Sequence, residues 1–182
     1  VYTGLQEALE ASGGVLLGGD CSSGQDRLLS ITALGRLPDD GSDGVIQRSA
    51  GRPGDRLLAS GVHGLSRLGL ALLREEAVRG LERISPDQLA SLRDRAIRAH
   101  RRPRGRFDVV EALGRCRPAE APWRVAGTDS SDGLRSAVAA IARASGCQAR
   151  LERAQLPLDA AMAELEDGVG WCLDGGEDFE LV

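Results

Sequence analysis

Three short apolar runs in this sequence each end at a turn of glycine and acidic residues, and amphipathic stretches separate them. Val15-Leu16-Leu17 opens onto Gly18-Gly19-Asp20. Residues 123–128 open onto Asp129-Ser130-Ser131-Asp132-Gly133, and residues 171–173 onto Gly175-Gly176-Glu177-Asp178. An apolar run of this length bounded by turn residues reads as a buried strand. Residues 28–37, 56–61 and 149–156 are further strand candidates. Helical spacing predicts helices over 2–12, through Leu5, Ala8 and Leu9, and over 65–77, through Leu65, Leu68, Leu72 and Leu73. Ser85-Pro86 reads as a cap and first turn leading a helix to about His100, with Leu89, Leu92 and Ala96 inward. A last helix is expected over 132–145, with Leu134, Val138 and Ile141 as its stripe and Gly146 as its C-terminal cap. Strands alternating with helices predict an α/β or α+β fold.

Composition narrows the chemistry. All 23 basic residues are Arg; the chain has no Lys and no Asn. There is therefore no P-loop lysine and no protein-kinase lysine. Phosphate must be met by Arg, backbone amides and metal ions. A formal net charge of −4 and 3% aromatics argue against a nucleic-acid binder. Cys21, Cys116, Cys147 and Cys172 show no C-x-x-C spacing, and the histidines are His63 and His100, a poor set for structural zinc. Scattered thiols fit a reducing cytoplasm, and no long apolar run indicates a membrane segment.

Four segments could carry chemistry. At Gly18-Gly19-Asp20 the glycines allow backbone amides to approach a phosphate, and Asp20 can hold its counter-cation; such turns also occur for structural reasons alone. Arg48 opens Arg48-Ser49-Ala50-Gly51-Arg52-Pro53-Gly54-Asp55, where a guanidinium could grip a nucleotide. In the 129–133 turn, Asp129 ends the strand and Asp132 is expected in the first helical turn. There two carboxylates could share a hard cation and the helix amides could meet an anion, although Ser and Asp also serve as ordinary caps. Glu177, Asp178 and Glu180 surround Phe179 after a Gly-Gly turn, a pattern equally open to reading as a charged sheet edge.

Taken in order, these four segments resemble the thiamine-monophosphate kinase family, and the resemblance spans nearly the whole chain. It belongs with the wider superfamily of aminoimidazole ribonucleotide synthetase and selenophosphate synthetase. The Asp-x-Ser-Asp-Gly-Leu block is shared loosely across that superfamily, and residues 175–181 point most specifically to the thiamine-phosphate member. The resemblance implies a two-domain aminoimidazole ribonucleotide synthetase-like fold, incomplete at both ends. Residues 1–40 would be the end of an ATP- and metal-binding dimerisation domain, 41–47 a linker and 48–182 a truncated α/β domain.

It further implies magnesium as cofactor and ATP as co-substrate, with transfer of a phosphoryl group to thiamine phosphate by direct in-line displacement. Gly19, Asp20, Arg48 and Ser131 would bind ATP. Asp20, Asp129 and Asp132 would bind metal, and Glu177 the thiamine phosphate. A cytoplasmic homodimer is implied, with neither nucleic acid nor membrane as partner. The chain alone is expected to be inactive, since the family's upstream acidic metal segment is not in it. The family's His-x-x-Pro-x-Pro-Arg run stands here as His100-Arg101-Arg102-Pro103-Arg104-Gly105-Arg106, with Gly105 in place of the second proline. The alternatives are another ATP-dependent enzyme of the superfamily, of selenophosphate or aminoimidazole ribonucleotide synthetase type, and a non-catalytic nucleotide-binding remnant.

Overall fold

The first helix forms where the spacing predicts it, α1 over Tyr2–Ser12, with Leu5 and Leu9 half-buried. The structure, a computed structural model, describes residues 2–36, 45–118 and 120–182. The chain divides into two compact units, Val1–Asp39 and Asp40–Val182. The part of the expected linker at 41–44 lies outside the described residues.

In the first unit α1 ends at Gly13, in the left-handed region at φ 70°, and the Gly14 amide closes back on the Leu9 carbonyl at 3.0 Å. The strands expected at 15–17 and over the described part of 28–37 do not form. The apolar character is there, but a strand is a pairing and not a property of one segment. Neither segment pairs among the described residues, and Leu17 and Leu28 are 84% and 93% exposed.

The second unit is built on helices. These are α2 over Leu65–Leu73, α3 over Pro86–Arg101, α4 over Phe107–Cys116, α5 over Leu134–Ala144 and α6 over Gly168–Asp174. Helices α2 and α3 pack closely because Gly69 has no side chain: a Cβ there would stand 2.1 Å from the Ala96 carbonyl oxygen. Around this crossing lies a core of Leu65, Leu68, Ile84, Leu92, Ala96, Met162 and Leu165, against which Trp171 packs. Truncating Leu68 or Leu92, both fully buried, to Ala should cost about 2–5 kcal/mol. A second cluster joins Leu134 and Val138 of α5 to Cys172 of α6. Burial pushes the Cys172 thiol up to about 11.

Several expectations need correction here. Residues 171–173 belong to α6 and form no strand; a three-residue apolar run has no period of its own, so it cannot separate a strand from a buried helix. Helix α5 starts at Leu134, which leaves Asp132 ahead of it and outside the first turn. Gly133, at φ 93°, forces this break. Of the predicted strand at 123–128 only short pairings form: a parallel bridge between Gln47 and Ala126, beside an antiparallel bridge between Asp129 and Leu181. Residues 56–61 are irregular, and 149–156 hold a 3-10 turn over Arg153–Gln155 and no strand. The second unit is thus helix-rich with few paired residues, where an alternating α/β layering was expected. Helix α4 was not foreseen, because the arginine run before it masks its start.

Two caps follow the sequence. Ser85 precedes α3 with Pro86 in its first turn, although its hydroxyl donates to the Gln88 side chain at 3.0 Å and not to a helix amide. At the end of α5, Gly146 takes φ 63°. Its amide reaches the Arg143 carbonyl at 3.3 Å and the Cys147 amide the Ala142 carbonyl at 2.9 Å, a Schellman closure.

Candidate functional site

The turn at 129–133 and the block at 175–182 are hydrogen-bonded along each other. The Glu177 amide donates to the Ser131 carbonyl and the Ser130 amide to the Glu180 carbonyl, each at 2.8 Å. Thr128 and Val182 exchange both backbone bonds at 3.0 Å. The approach is close enough that a Cβ at Gly176 would meet the Ser131 carbonyl oxygen at 2.6 Å. The second glycine of the Gly-Gly pair therefore serves backbone packing. Glu177 and Phe179 both take left-handed backbone, φ 67° and 53°, a costly conformation for residues with side chains.

This geometry sends the three acids of the block in different directions. Glu177 is exposed. Asp178 turns inward and accepts from the amides of Gly64 and Ser66 at 2.6 and 3.0 Å, so it caps the start of α2 from a remote position. Burial pushes its carboxyl above the ordinary aspartate value, against these two amide bonds and the nearby His63, which favour the charged form. Glu180 pairs with Arg106 and accepts from the Ser60 hydroxyl. The Arg106 guanidinium also donates to the Ser60 carbonyl at 2.8 Å. The arginine run before α4 thus spends its last member on an internal pair.

In the opposite turn, Asp129 and Asp132 are both exposed and Ser131 is half-buried. The Ser131 hydroxyl, with help from Thr128, holds the Asp129 carboxyl below its ordinary value, so it is ionised near neutrality. Ser130 is fully buried beneath them, and its hydroxyl meets Nε2 of the fully buried His63 at 2.9 Å.

Arg48 approaches the same turn from the other side. Its Nε donates to the Thr128 hydroxyl at 3.1 Å, next to Asp129. The segment that carries it is fastened at two points. Ser145, at the end of α5, donates to the Arg48 carbonyl and accepts from the Gly51 amide. Asp55 forms a two-point pair with Arg124 at 2.6 and 3.0 Å. Arg48, through Thr128, and Glu177, through Ser131, are thereby bonded to the stretch of chain that carries Asp129, Ser131 and Asp132. Gly19 and Asp20 belong to the first unit; Asp20 is exposed and accepts from the Cys21 amide at 2.9 Å.

Among the described residues, no three His, Cys, Asp or Glu side chains gather into a group that could hold a metal ion. Asp129 and Asp132 nevertheless suit magnesium, which keeps several waters and is commonly bound through one or two carboxylates. From the sequence, Asp178 and Glu180 were read only as members of the acidic block, and His63, Ser130 and Arg106 were given no role. The block's three acids gave a partial signal for Asp178 and Glu180; a lone histidine gave none.

No family model matches the sequence. A thiamine-monophosphate kinase of Prochlorococcus marinus is 44% identical over 182 residues, covering 100% of this chain and 52% of that protein. The one of Synechococcus elongatus is also 44% identical, over 183 residues with the same coverage. That of Bacillus subtilis is 31% identical, again over 100% of this chain and 52% of its own length. The chain spans about half the length of these curated relatives. The crystal structure of a thiamine-monophosphate kinase from Stenotrophomonas maltophilia is similar with a TM-score of 0.60 at 27% identity, over 76% of this chain and 42% of that one. No helix among the described residues is long and apolar enough to cross a membrane.

Proposed function

Because this chain is a homologue of thiamine-monophosphate kinases along its whole length, we propose that the protein carrying it transfers the γ-phosphoryl group of ATP to thiamine phosphate, forming thiamine diphosphate and ADP. The observation that most supports this reading is the junction between the 129–133 turn and the 175–182 block. It joins a turn with two exposed carboxylates and a half-buried serine to a segment with a third exposed carboxylate, while Arg48 bonds to Thr128 at the start of that turn.

In this reading Arg48 and Ser131 contact the nucleotide, and Asp129 and Asp132 hold the magnesium that accompanies it. Gly19 and Asp20 contact ATP, and Asp20 also binds metal. Magnesium, when bound, supplies charge neutralisation on the phosphate oxygens. Glu177 reads the acceptor. A terminal phosphate oxygen of thiamine phosphate forms the new bond to the γ-phosphorus while the bond to the bridging oxygen of ADP breaks. Transfer of this kind asks little covalent chemistry of the protein; holding acceptor and donor in line and countering charge carry the rate. Arg48, anchored on Thr128, contributes to both. A two-domain aminoimidazole ribonucleotide synthetase-like fold, a homodimer and a cytoplasmic location are part of the same proposal.

The test is product formation by the protein that carries this chain, with ATP, magnesium and a panel of acceptors. Thiamine diphosphate made from thiamine phosphate is the expected result. Turnover confined to another acceptor, such as selenide or an aminoimidazole ribonucleotide precursor, would transfer the assignment to another branch of the superfamily. Binding of magnesium-ATP with no turnover on any acceptor would leave a nucleotide-binding remnant.

A further inference from the structure

A fully buried histidine is bonded to the turn that carries Asp129 and Asp132 and makes no contact that the proposed chemistry uses. The ring of His63 is 0% exposed, as is Ser130. Nδ1 lies 3.1 Å from the Gly61 carbonyl oxygen and Nε2 lies 2.9 Å from the Ser130 hydroxyl. A carbonyl only accepts, so Nδ1 carries the proton; in the neutral ring Nε2 then accepts from Ser130. The backbone of His63 is itself pinned, its amide donating to the Pro157 carbonyl at 2.8 Å. Ser130 stands between Asp129 and Asp132, and its carbonyl accepts from the Gly133 amide at 2.9 Å to close the turn.

We infer that His63 is a positioning residue for the metal-nucleotide turn: through the buried Ser130 hydroxyl it fixes the backbone from which Asp129 and Asp132 project. The inference rests on the assignment of those two carboxylates to magnesium. Two exposed carboxylates on a short turn keep a fixed spacing only where the backbone that carries them is held. A buried, doubly bonded ring beneath the turn holds that backbone, and both members of the bond are shielded from competing water. Partners of this outer kind commonly set metal affinity by tenfold or more without touching the ion.

The experiment compares Ser130→Ala, His63→Leu and the double variant in the protein that carries this chain. Magnesium is titrated calorimetrically in the presence of ATP, and thermal melting is followed in parallel. Each single variant should weaken magnesium binding by about tenfold. Ser130→Ala leaves Nε2 of His63 unmet, and His63→Leu leaves both the Ser130 hydroxyl and the Gly61 carbonyl unmet, so each melting temperature should fall. The double variant removes both members of the His63–Ser130 bond and leaves only the half-buried Gly61 carbonyl without its donor, so it should melt above His63→Leu, yet its magnesium affinity should stay low, since the turn is still unpinned. Affinity that recovers together with stability in the double variant would reduce His63 to a core residue and overturn the inference. So would single variants that bind magnesium as the unaltered protein does. If His63→Leu does not fold, Ser130→Ala and the double variant still decide the matter. An unaltered protein that binds no magnesium-ATP would instead sink the functional reading on which this inference rests.

Discussion

The amide of Glu177 donates to the carbonyl of Ser131 at 2.8 Å, and this bond joins the two acidic segments of the second unit into one surface. Glu177 adopts a left-handed backbone at φ 67° to make it. Strain of this kind persists where the surroundings over-determine it. Here the surroundings are the Ser130–Glu180 and Thr128–Val182 bonds on one side and the Asp178 cap of α2 on the other.

Glu177 and Arg48 meet the turn at different residues, Ser131 and Thr128, and their substitutions should separate in kinetics. Glu177→Gln should raise KM for thiamine phosphate, by about tenfold as for loss of one charged contact, with KM for ATP little changed. Arg48→Ala should do the reverse. Steady-state measurements giving the opposite pattern would exchange the two roles.

Asp178 is assigned to structure, unlike its neighbour. Asp178→Ala leaves the Gly64 and Ser66 amides without their acceptor. The expected loss is about 1–3 kcal/mol in denaturant unfolding. The sign with pH follows from its raised carboxyl. A group whose folded pKa lies above the unfolded value, here 3.8, adds stability that is present below that value and is lost as pH rises through the folded one. The unaltered protein should therefore lose this contribution above pH 3.8, and Asp178→Asn should not show that slope. Identical pH profiles for the two would refute the buried, raised carboxyl.

The Asp55–Arg124 pair behaves oppositely. The Arg124 guanidinium, followed by the Arg52 amide, holds the Asp55 carboxyl at about 2. A depressed pKa contributes stability that is present above the unfolded value and is lost as pH falls through the folded one, so the window runs from 3.8 down to about 2. The pair is exposed, so salt should weaken it. Carbon-13 titration of the Asp55 carboxyl should show a midpoint near 2, moving toward 3.8 in Arg124→Ala. An ordinary midpoint in the unaltered protein would show that the pair does not persist in solution.

Helices with a continuous apolar stripe were legible in the sequence. Leu89, Leu92 and Ala96 announce α3, while Leu134, Val138 and Ile141 with Gly146 announce α5 and its end. The strands were not, because pairing depends on residues far away in the chain. Trp171 and Cys172 look the same in a short strand or a short helix; only their separate burial in two core clusters shows which they occupy. In the candidate site, exposed residues in recognisable turns could be named, whereas those that hold the turns could not. His63 acts from the 61–64 loop, and Asp178 and Glu180 look like further site acids until their partners Gly64, Ser66, Ser60 and Arg106 are seen.

The central claim is that Asp129 and Asp132 act as magnesium carboxylates and are not helix caps. Asn at either position keeps much of a cap's hydrogen bonding and removes the charge. The deciding measurement is the magnesium dependence of thiamine diphosphate formation by Asp129→Asn and Asp132→Asn, with folding checked by circular dichroism. Turnover at low magnesium should drop by about a hundredfold or more in each, with the fold intact. Near-normal turnover at low magnesium in both variants would contradict the account.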